Sequence, residues 1–120
     1  MAHETQVTGR ISELKAITAL MANGYEVAEP VVAEPYDLLL RREGNGKTYR
    51  AQVKTCRVRE DRGGAIVVYA KRNNGDPYTK EDCDFIIGVL DDEVYMFECR
   101  GVGEYWATSE TINEHWTKVQ

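Results

Sequence analysis

Apolar residues recur at helical spacing near the start of the chain and at strand spacing over much of the remainder. The apolar positions that repeat every three or four residues in "TGRISELKAITALMANGY" are Ile11, Leu14, Ile17, Leu20 and Met21. This period predicts an amphipathic helix over residues 9–22. Thr8 is the expected N-cap, and Asn23-Gly24 is a stop signal.

The predicted buried face of this helix is centred on Leu14, Ile17, Leu20 and Met21. At 100° per residue, Glu13 lies on the flank of that face. We therefore expect the Glu13 carboxylate to point toward whatever the helix packs on. A salt bridge from Glu13 to Arg10 or Lys15 is the alternative role.

The rest of the chain alternates between extended segments and turn signals. Strands are predicted at residues 25–32, 36–43, 47–55, 65–71, 84–90 and 93–99, which are rich in β-branched and aromatic residues. A short helical turn is expected in "YTKEDCD", and a final helix in "SETINEHW" with Ser109 as its cap. This order predicts an α/β fold with a mixed central β-sheet flanked by helices. At 120 residues, a single domain over residues 1–120 is expected.

The segment "YRAQVKT" places polar side chains at alternate positions of a strand. Ala51 and Val53 belong to one face, while Gln52 and Lys54 belong to the other. A two-residue turn at Asn45-Gly46 would pair this strand with the preceding one so that Asp37 lies opposite Lys54 and diagonal to Gln52. The predicted hairpin thus gathers three polar groups at one end.

These groups suit metal-assisted phosphodiester hydrolysis. The Asp37 carboxylate and the Gln52 amide are hard oxygen donors of the kind that Mg²⁺ accepts. Lys54 beside the metal can orient or deprotonate the attacking water, or neutralise charge in the transition state. Glu13 can hold a water from the helix side. Taken singly, each of these residues is more commonly a solvated surface group, so the prediction depends on their conjunction.

The net charge of −5 hides a segregation of charge along the chain. Residues 41–80 hold eleven Lys/Arg and four Asp/Glu, whereas the remainder holds four basic and sixteen acidic residues. The local field governs attraction of a polyanion. The arginines expected to contact phosphates are Arg10, Arg41, Arg42, Arg57, Arg59 and Arg62. The segment "RVREDRGG" is expected to be a mobile loop that closes over DNA, and Tyr69, Tyr78 and Trp106 are either base-stacking or core aromatics.

Cys56, Cys83 and Cys99 are an odd number of widely spaced thiols. Their spacing argues against a disulfide framework or a zinc site and favours small, semi-buried side chains in a reducing compartment. The chain shows neither a secretory signal nor an apolar run of membrane-spanning length. We therefore expect a cytoplasmic protein with no membrane partner.

Three strings together resemble the small nucleases of the P-D…(D/E)-x-K superfamily. They are "GRISELKAITALMANGYEVAEP", "PYDLLL" and "YRAQVKT". The resemblance is to the branch whose third motif is Gln-x-Lys, which is similar to archaeal-type Holliday junction resolvases and intron-encoded homing endonucleases. It runs from Gly9 to Thr55 and more loosely through "YTKEDCDFIIGVLDDEVYMF".

The resemblance implies a restriction-endonuclease-like core (helix, three strands, helix, strand) and Mg²⁺-dependent DNA cleavage, with Mn²⁺ as a substitute. It places the catalytic positions on Glu13, Asp37, Gln52 and Lys54, and the metal ligands on Asp37, Gln52 and Val53. This chain has Pro35-Tyr36-Asp37 where the superfamily has adjacent Pro-Asp. It also has an amide at 52 where a carboxylate is common, which lowers the negative charge available to the metal.

The favoured function is a structure-selective endonuclease that acts on branched DNA such as four-way junctions. Symmetric cleavage requires two sites, so a C2 homodimer is expected, with residues 84–90, residues 93–99 or the C-terminal segment as its interface. A site-specific homing or restriction-type endonuclease is the alternative, although 120 residues leave little room for major-groove readout. A catalytically silent DNA-binding module and a protein-interaction domain also stay open.

Overall fold

The structure is a computed structural model that describes residues 3–44 and 46–120. Its elements, in chain order, are α1 (Glu4–Ala22), β1 (Tyr25–Ala28), β2 (Leu38–Arg42), β3 (Thr48–Thr55), β4 (Arg57–Arg59), β5 (Ala65–Tyr69), β6 (Phe85–Leu90), β7 (Glu93–Glu98), β8 (Glu104–Ala107), α2 (Ile112–His115) and β9 (Thr117–Lys118). A 3₁₀ turn at Glu60–Arg62 joins β4 to β5. No helix of the described residues is both long and apolar enough to span a membrane.

The strands form two sheets that pack against each other. The larger sheet has the order β1-β2-β3-β6-β7-β9, and the smaller has the order β4-β5-β8. Strands β3 and β6 are parallel and the other pairs are antiparallel. The predicted α/β fold with a mixed sheet is therefore confirmed.

Each face of the larger sheet has its own apolar layer. Toward α1 the sheet buries side chains that include Leu38, Leu40, Ala51 and Val53, the face that the alternation in "YRAQVKT" predicts. Toward the smaller sheet it buries Ile86 and Phe97 against residues such as Val68 and Tyr105. Gly88 permits the close approach of the sheets, because a Cβ there would lie 3.0 Å from Cys56 Sγ and 3.1 Å from Val68 Cγ2.

Helix α1 starts earlier than predicted and packs through a partly different face. It begins at Glu4, with His3 and not Thr8 as its N-cap, and the His3 N–H donates to Gln6 Oε1 at 3.3 Å. It ends where predicted, with Asn23 as the C-cap and Gly24 at φ 86°. The early start adds a turn of mostly polar residues, in which Val7, four residues before Ile11, is the one apolar signal.

The predicted buried face of α1 is confirmed at Leu20 and, as a partly buried residue, at Ile17, and is wrong at Leu14 and Met21. Ser12, Ala16 and Leu20 are buried, whereas Leu14 is 47% and Met21 is 62% exposed. The helix packs on β1 and β3, and the small side chains of Ser12 and Ala16, one turn apart, allow the backbones to approach closely. The large residues on the neighbouring arc then point outward.

The pairing of β2 with β3 differs from the predicted register by two residues. Leu38 lies opposite Ala51 and Leu40 opposite Tyr49, so Asp37 falls across from Gln52 instead of Lys54. The strands end at Arg42 and begin again at Thr48, which leaves a five-residue connection. Part of the predicted Asn45-Gly46 turn lies outside the described residues, at Asn45. A shift of two preserves which face each side chain occupies.

Other segments depart from prediction in smaller ways. The expected mobile loop at residues 57–64 is mostly the strand β4 and the 3₁₀ turn, and Gly63 and Gly64 reverse the chain with φ of 66° and 83°. Strands β8 and β9 were not predicted, because they are short and lack a long alternating pattern.

The helical segments after β5 are shorter than expected. The turn in "YTKEDCD" is confirmed, since the Asp82 and Cys83 N–H groups donate to the Thr79 carbonyl at 3.0 and 3.1 Å. This turn occupies the position of the second core helix. The final helix is a single turn capped by Thr111 and not Ser109, because Thr108 and Thr111 exchange hydrogen bonds ahead of it.

The strands proposed as a dimer interface lie in the interior of this chain. In β6, Ile86 and Ile87 are fully buried on opposite faces, and in β7, Val94 and Tyr95 are buried as well. The apolar runs that suggested an interface are explained by a sheet covered on both faces. The three cysteines are also buried, as predicted.

The small-residue contact of α1 generates a stability prediction. Ala16→Leu adds three carbons at a fully buried position, so we expect the free energy of unfolding in urea to fall by about 1–3 kcal/mol. Ala22→Leu makes the same change at an exposed position of the same helix and should alter it by less than about 0.5 kcal/mol. Equal stability of the two variants would contradict the close approach of α1 to β3.

Candidate functional site

Asp37 lies just before β2. At this point the backbone hydrogen bonds between β2 and β3 end, and the Asp37 side chain accepts the next hydrogen bond from β3. The Asp37 N–H donates to the Ala51 carbonyl at 2.9 Å. The Val53 N–H then donates to Asp37 Oδ2, also at 2.9 Å. The carboxylate thus takes the position of the next backbone acceptor, and it is fixed against β3 beside Gln52.

The predicted catalytic residues share one open cavity at the end of β3, with a volume of about 580 Å³. Both α1 and the smaller sheet reach it. Its lining residues are Glu4, Thr5, Thr8, Gly9, Glu13, Asp37, Gln52, Val53, Lys54, Thr55, Arg57 and Tyr69. The structure therefore brings together the helix acid, the hairpin acid, the amide and the lysine that the sequence singles out.

Ser12 and Thr55 set the distance between α1 and this end of β3. Their hydroxyl oxygens lie 2.7 Å apart, and Ser12 is only 5% exposed. This short contact joins α1 to β3. Its helix residue, Ser12, precedes Glu13, and its strand residue, Thr55, follows Lys54. Glu13 is consequently held at the cavity and not left on a free helix surface.

Glu13 also forms the salt bridge that was its alternative role. Arg10 Nη1 donates to Glu13 Oε1 at 2.9 Å and to Glu29 Oε2 at 2.6 Å. The hydrogen bond from Arg10 holds the pKa of Glu29 below its usual range. Arg10 is thus occupied by two carboxylates, and its predicted contact with DNA would require a phosphate to compete with them.

The Asp37 carboxylate is held in a setting that disfavours its charge. Burial raises the pKa of Asp37 above its ordinary value, and the negative charges of Glu13 and Glu29 raise it further. The Val53 hydrogen bond and the Lys54 ammonium act in the opposite direction but less strongly. A cation beside Asp37 would remove this imbalance.

Lys54 points into the cavity without a carboxylate partner among the described residues. Its Nζ lies 5.2 Å from the centre of the Tyr78 ring, a position that suits a cation over a π face. Burial is the main cause that raises the pKa of Tyr78, and its half-buried ring forms one wall beside Lys54. Lys54 is held near the site while its hydrogen-bond donors stay available.

The donor set fits a hard divalent cation. Gln52 is 8% exposed, lines the cavity, and makes no side-chain hydrogen bond to the residues that the structure describes. Val53 can offer only its backbone carbonyl oxygen. The Asp, Glu, His and Cys side chains of residues 3–44 and 46–120 form no cluster of three able to hold a metal. A metal here would therefore need the Asp37 carboxylate, the Gln52 amide, the Val53 carbonyl and water, the sparse protein shell typical of Mg²⁺.

The predicted phosphate-binding arginines separate into two groups. Arg57 lines the cavity, and Arg59 and Arg62 follow on the smaller sheet, where they pair with Asp61 and Glu104. Arg41 and Arg42 lie at the far end of β2 from Asp37. Arg41 pairs with Glu26 and Arg42 lies over the Tyr25 ring. The structure does not bring this second pair to the site.

Glu29, Ser12, Thr55 and Tyr78 belong to the site but were not assigned to it from the sequence. Thr55 ends the "YRAQVKT" string, so its position directly after Lys54 was the feature of the sequence that could have indicated its place at the site. The position of Glu29 depends on how the connection after β1 folds back onto Arg10. No local pattern in the sequence encodes that contact.

Comparisons with known proteins agree with this geometry. The family model of the PD-(D/E)XK endonucleases matches residues 3–112. Among solved structures, the chain is similar to the bacterial homing endonuclease I-Ssp6803I, with a TM-score of 0.75 and 24% sequence identity. That similarity covers 89% of this chain and 80% of the other, and it shows a shared fold. No curated protein sequence matches the chain.

The setting of Asp37 generates a stability prediction with a definite sign. Because the native-state pKa of Asp37 lies above its ordinary value of 3.8, the native state binds more protons than the unfolded state between those two values. The contribution of Asp37 to wild-type stability therefore falls as pH rises through that window. Asp37→Asn removes the charge and keeps an oxygen that can accept from Val53, so in EDTA at pH 7 it should raise Tm.

Thermal unfolding monitored by circular dichroism checks this result. The advantage of Asp37→Asn should disappear well below pH 3.8, where the wild-type carboxyl is protonated in both states. Asp84→Asn is the matched control and should lower Tm at pH 7, because Asp84 accepts from the Arg50 backbone N–H at 2.9 Å and pairs with its guanidinium. A lower Tm for Asp37→Asn at pH 7 would contradict the prediction.

Proposed function

The chain belongs to the PD-(D/E)XK endonuclease family, and we propose that it is a Mg²⁺-dependent DNA endonuclease that hydrolyses phosphodiester bonds. The observation that supports this proposal is the single cavity shared by Glu13, Asp37, Gln52 and Lys54, with Arg57 at its edge. It combines oxygen donors for a metal with cations for a phosphate.

The metal ligands in this proposal are the Asp37 carboxylate, the Gln52 amide oxygen and the Val53 backbone carbonyl. When bound, Mg²⁺ would supply positive charge to the phosphate oxygens and lower the pKa of water in the site. Mn²⁺, which accepts the same donors, is expected to substitute for it. Glu13 lies on the helix side of the cavity and would orient a water there through its carboxylate.

Lys54 acts in this proposal as an ammonium group. Its position over the Tyr78 ring, at 5.2 Å from the ring centre, favours a cation. From there it donates hydrogen bonds to the phosphate oxygens and stabilises the negative charge that develops during attack. Arg57 contacts the adjoining phosphate and sets the path of the DNA strand across the cavity.

Branched DNA, such as a four-way junction, is the proposed substrate. The cavity is open, and cations on the smaller sheet continue from it, so a strand can enter without deep insertion of a reading element. A site-specific endonuclease is the second candidate, favoured by the similarity to I-Ssp6803I. Since this chain covers 80% of that homing endonuclease, its length alone does not argue against the second candidate.

Paired cleavage of a junction requires two sites, so a C2 homodimer is part of the proposal. The exposed apolar residues of α1 supply a surface for it in place of the buried strands β6 and β7. Val7, Ile11, Leu14 and Met21 are 46%, 47%, 47% and 62% exposed and lie within one arc of the helix. An apolar stripe of this kind is self-complementary when two helices pack about a two-fold axis.

Cleavage of a fluorescently labelled four-way junction tests the activity and its site. Wild type should produce paired nicks in Mg²⁺ and none in EDTA. Asp37→Asn and Lys54→Ala should each lower the cleavage rate by about 10²–10⁴-fold, because they remove a metal ligand and a charge-stabilising donor. Lys118→Ala is the matched control on the edge strand β9, three strands from β3 in the larger sheet, and should cleave like wild type.

The same assay separates the alternatives. Cleavage of the junction but not of its linear arms supports the branched-DNA enzyme, whereas cleavage of one linear sequence supports the site-specific enzyme. Tight binding without cleavage would indicate a silent DNA-binding module. Salt-sensitive binding of an acidic protein without DNA affinity would indicate a protein-interaction domain.

Light scattering on a size-exclusion column tests the dimer. Wild type should elute with the mass of two chains, and Leu14→Glu should elute as a monomer because a buried charge replaces an apolar contact. The variant should lose paired nicks and keep single nicks, since Leu14 does not line the catalytic cavity. A wild-type monomer on junction DNA would contradict the proposed symmetric cleavage.

A further inference from the structure

The smaller sheet turns one face away from the larger sheet, beside the proposed catalytic cavity. On that face Val67 of the middle strand is fully buried, while Arg57 and Trp106 on the flanking strands are exposed. In its strand register, Arg57 pairs with Val67, and Val67 pairs with Trp106. Residues paired directly across strands share a face, so these three form one row. At about 4.8 Å between neighbouring strands, the backbone of Trp106 lies about 10 Å from that of Arg57.

Trp106 exposes an unusually large apolar side chain on this row. It is 60% exposed, whereas the other tryptophan, Trp116, is 5% exposed and stacks on Phe97. Its neighbours along β8, Tyr105 and Ala107, are buried. The indole therefore faces outward because of the strand alternation, and more than half of it is open to solvent.

Two arginines lie along this face, Arg62 beside the indole and Arg57 at the cavity. Arg57 lines the catalytic cavity, and its guanidinium lies 5.9 Å from the Tyr69 ring centre. Arg57 makes no ion pair within the described part of the chain. On the other side of the row, Arg62, Ala65 and Trp106 line a second depression of about 240 Å³. Guanidinium groups beside an exposed aromatic ring form the combination that binds single-stranded nucleic acid.

We propose that this face of the smaller sheet binds the DNA strand that enters the site, and that Trp106 stacks on an unpaired base of that strand. The inference rests on the proposed nuclease function and adds to it a reason for selecting branched DNA. A base can stack on the indole only after it leaves the duplex, and junctions and gaps supply such bases at little cost.

Arg57 and Trp106 lie in one row across the three strands of the smaller sheet. The stacked base is therefore expected a short distance along the strand from the phosphate that Arg57 contacts. Arg62 lines the same depression, and its Nη1 lies 3.0 Å from Glu104 Oε1. Arg62 can contact the next phosphate if that phosphate displaces the Glu104 carboxylate.

Fluorescence anisotropy in EDTA measures DNA binding apart from cleavage. The two probes are a continuous duplex and the same duplex with a three-nucleotide single-stranded gap. Trp106→Ala should weaken binding to the gapped probe by about 5- to 150-fold, the range for loss of one stacked base. Its binding to the continuous duplex should change less than twofold.

Two further variants separate stacking from general apolar contact. Trp106→Phe keeps an aromatic face and should retain most of the preference for the gapped probe, whereas Trp106→Leu should behave like Trp106→Ala. Arg57→Ala should weaken binding to both probes alike and reduce the salt dependence, because it removes a phosphate contact. Equal binding of the Phe and Leu variants, or wild-type binding by every Trp106 variant, would overturn the proposal.

Intrinsic fluorescence gives an independent readout. The gapped probe should quench the exposed Trp106 indole in wild type, and the signal that Trp116 leaves in Trp106→Phe should not respond. A change from dimer to monomer on Trp106→Ala, seen by light scattering, would show that a second copy covers this face and would overturn the proposal.

The outcome for Trp106 is distinguishable from the outcome for the nuclease. If wild type cleaves DNA in Mg²⁺ while the Trp106 variants bind the gapped probe normally, only the stacking proposal fails. If wild type binds and is quenched but never cleaves, the nuclease proposal fails and the stacking surface stands. A wild type that binds neither probe overturns both.

Discussion

The hydrogen bond from the Val53 N–H to the Asp37 carboxylate, at 2.9 Å, is the contact on which the site depends. It joins β2 to β3 at the point where the backbone ladder ends, and it places the carboxylate opposite Gln52. The same bond holds a negative charge where burial disfavours it and where Glu13 and Glu29 repel it. The ionised Asp37 carboxylate therefore lowers the stability of the fold, and a bound cation would offset that cost.

A neutral amide at position 52 fits this balance. Gln52 is nearly buried and lies beside Asp37, so a carboxylate in its place would add a further negative charge to an already acidic cavity. The amide offers an oxygen donor without that repulsion, at the cost of weaker attraction for a cation. DNA phosphates would then supply the missing negative charge, which links the completion of a metal shell to the arrival of the substrate.

The features of the fold that depend on the alternation of side chains along a strand were predictable from the sequence. Those that depend on how closely α1 approaches the sheet were not. The two faces of β3 could be assigned because side chains alternate strictly along a strand, and a register error of two residues leaves that assignment unchanged. The contact of α1 through Ser12 and Ala16 could not be assigned, because close packing favours small residues that carry no hydrophobic signal. Glu13 lines the cavity although the buried face predicted beside it was partly wrong, because Ser12, its neighbour in the sequence, makes the contact with β3.

The short segment from β3 into β4 explains why the proposed catalytic cavity and the proposed strand-binding face are adjacent. Thr55 ends β3, Cys56 is buried against Gly88 with its N–H bonded to the Val89 carbonyl at 2.8 Å, and Arg57 begins β4. Burial of one small thiol, whose pKa is raised to about 12 by desolvation, fixes the point at which the chain leaves one sheet for the other. Lys54 and Arg57 are three residues apart in sequence and belong to different sheets that meet at one cavity. A DNA strand lying across both sheets would therefore contact Lys54 and Arg57 in turn.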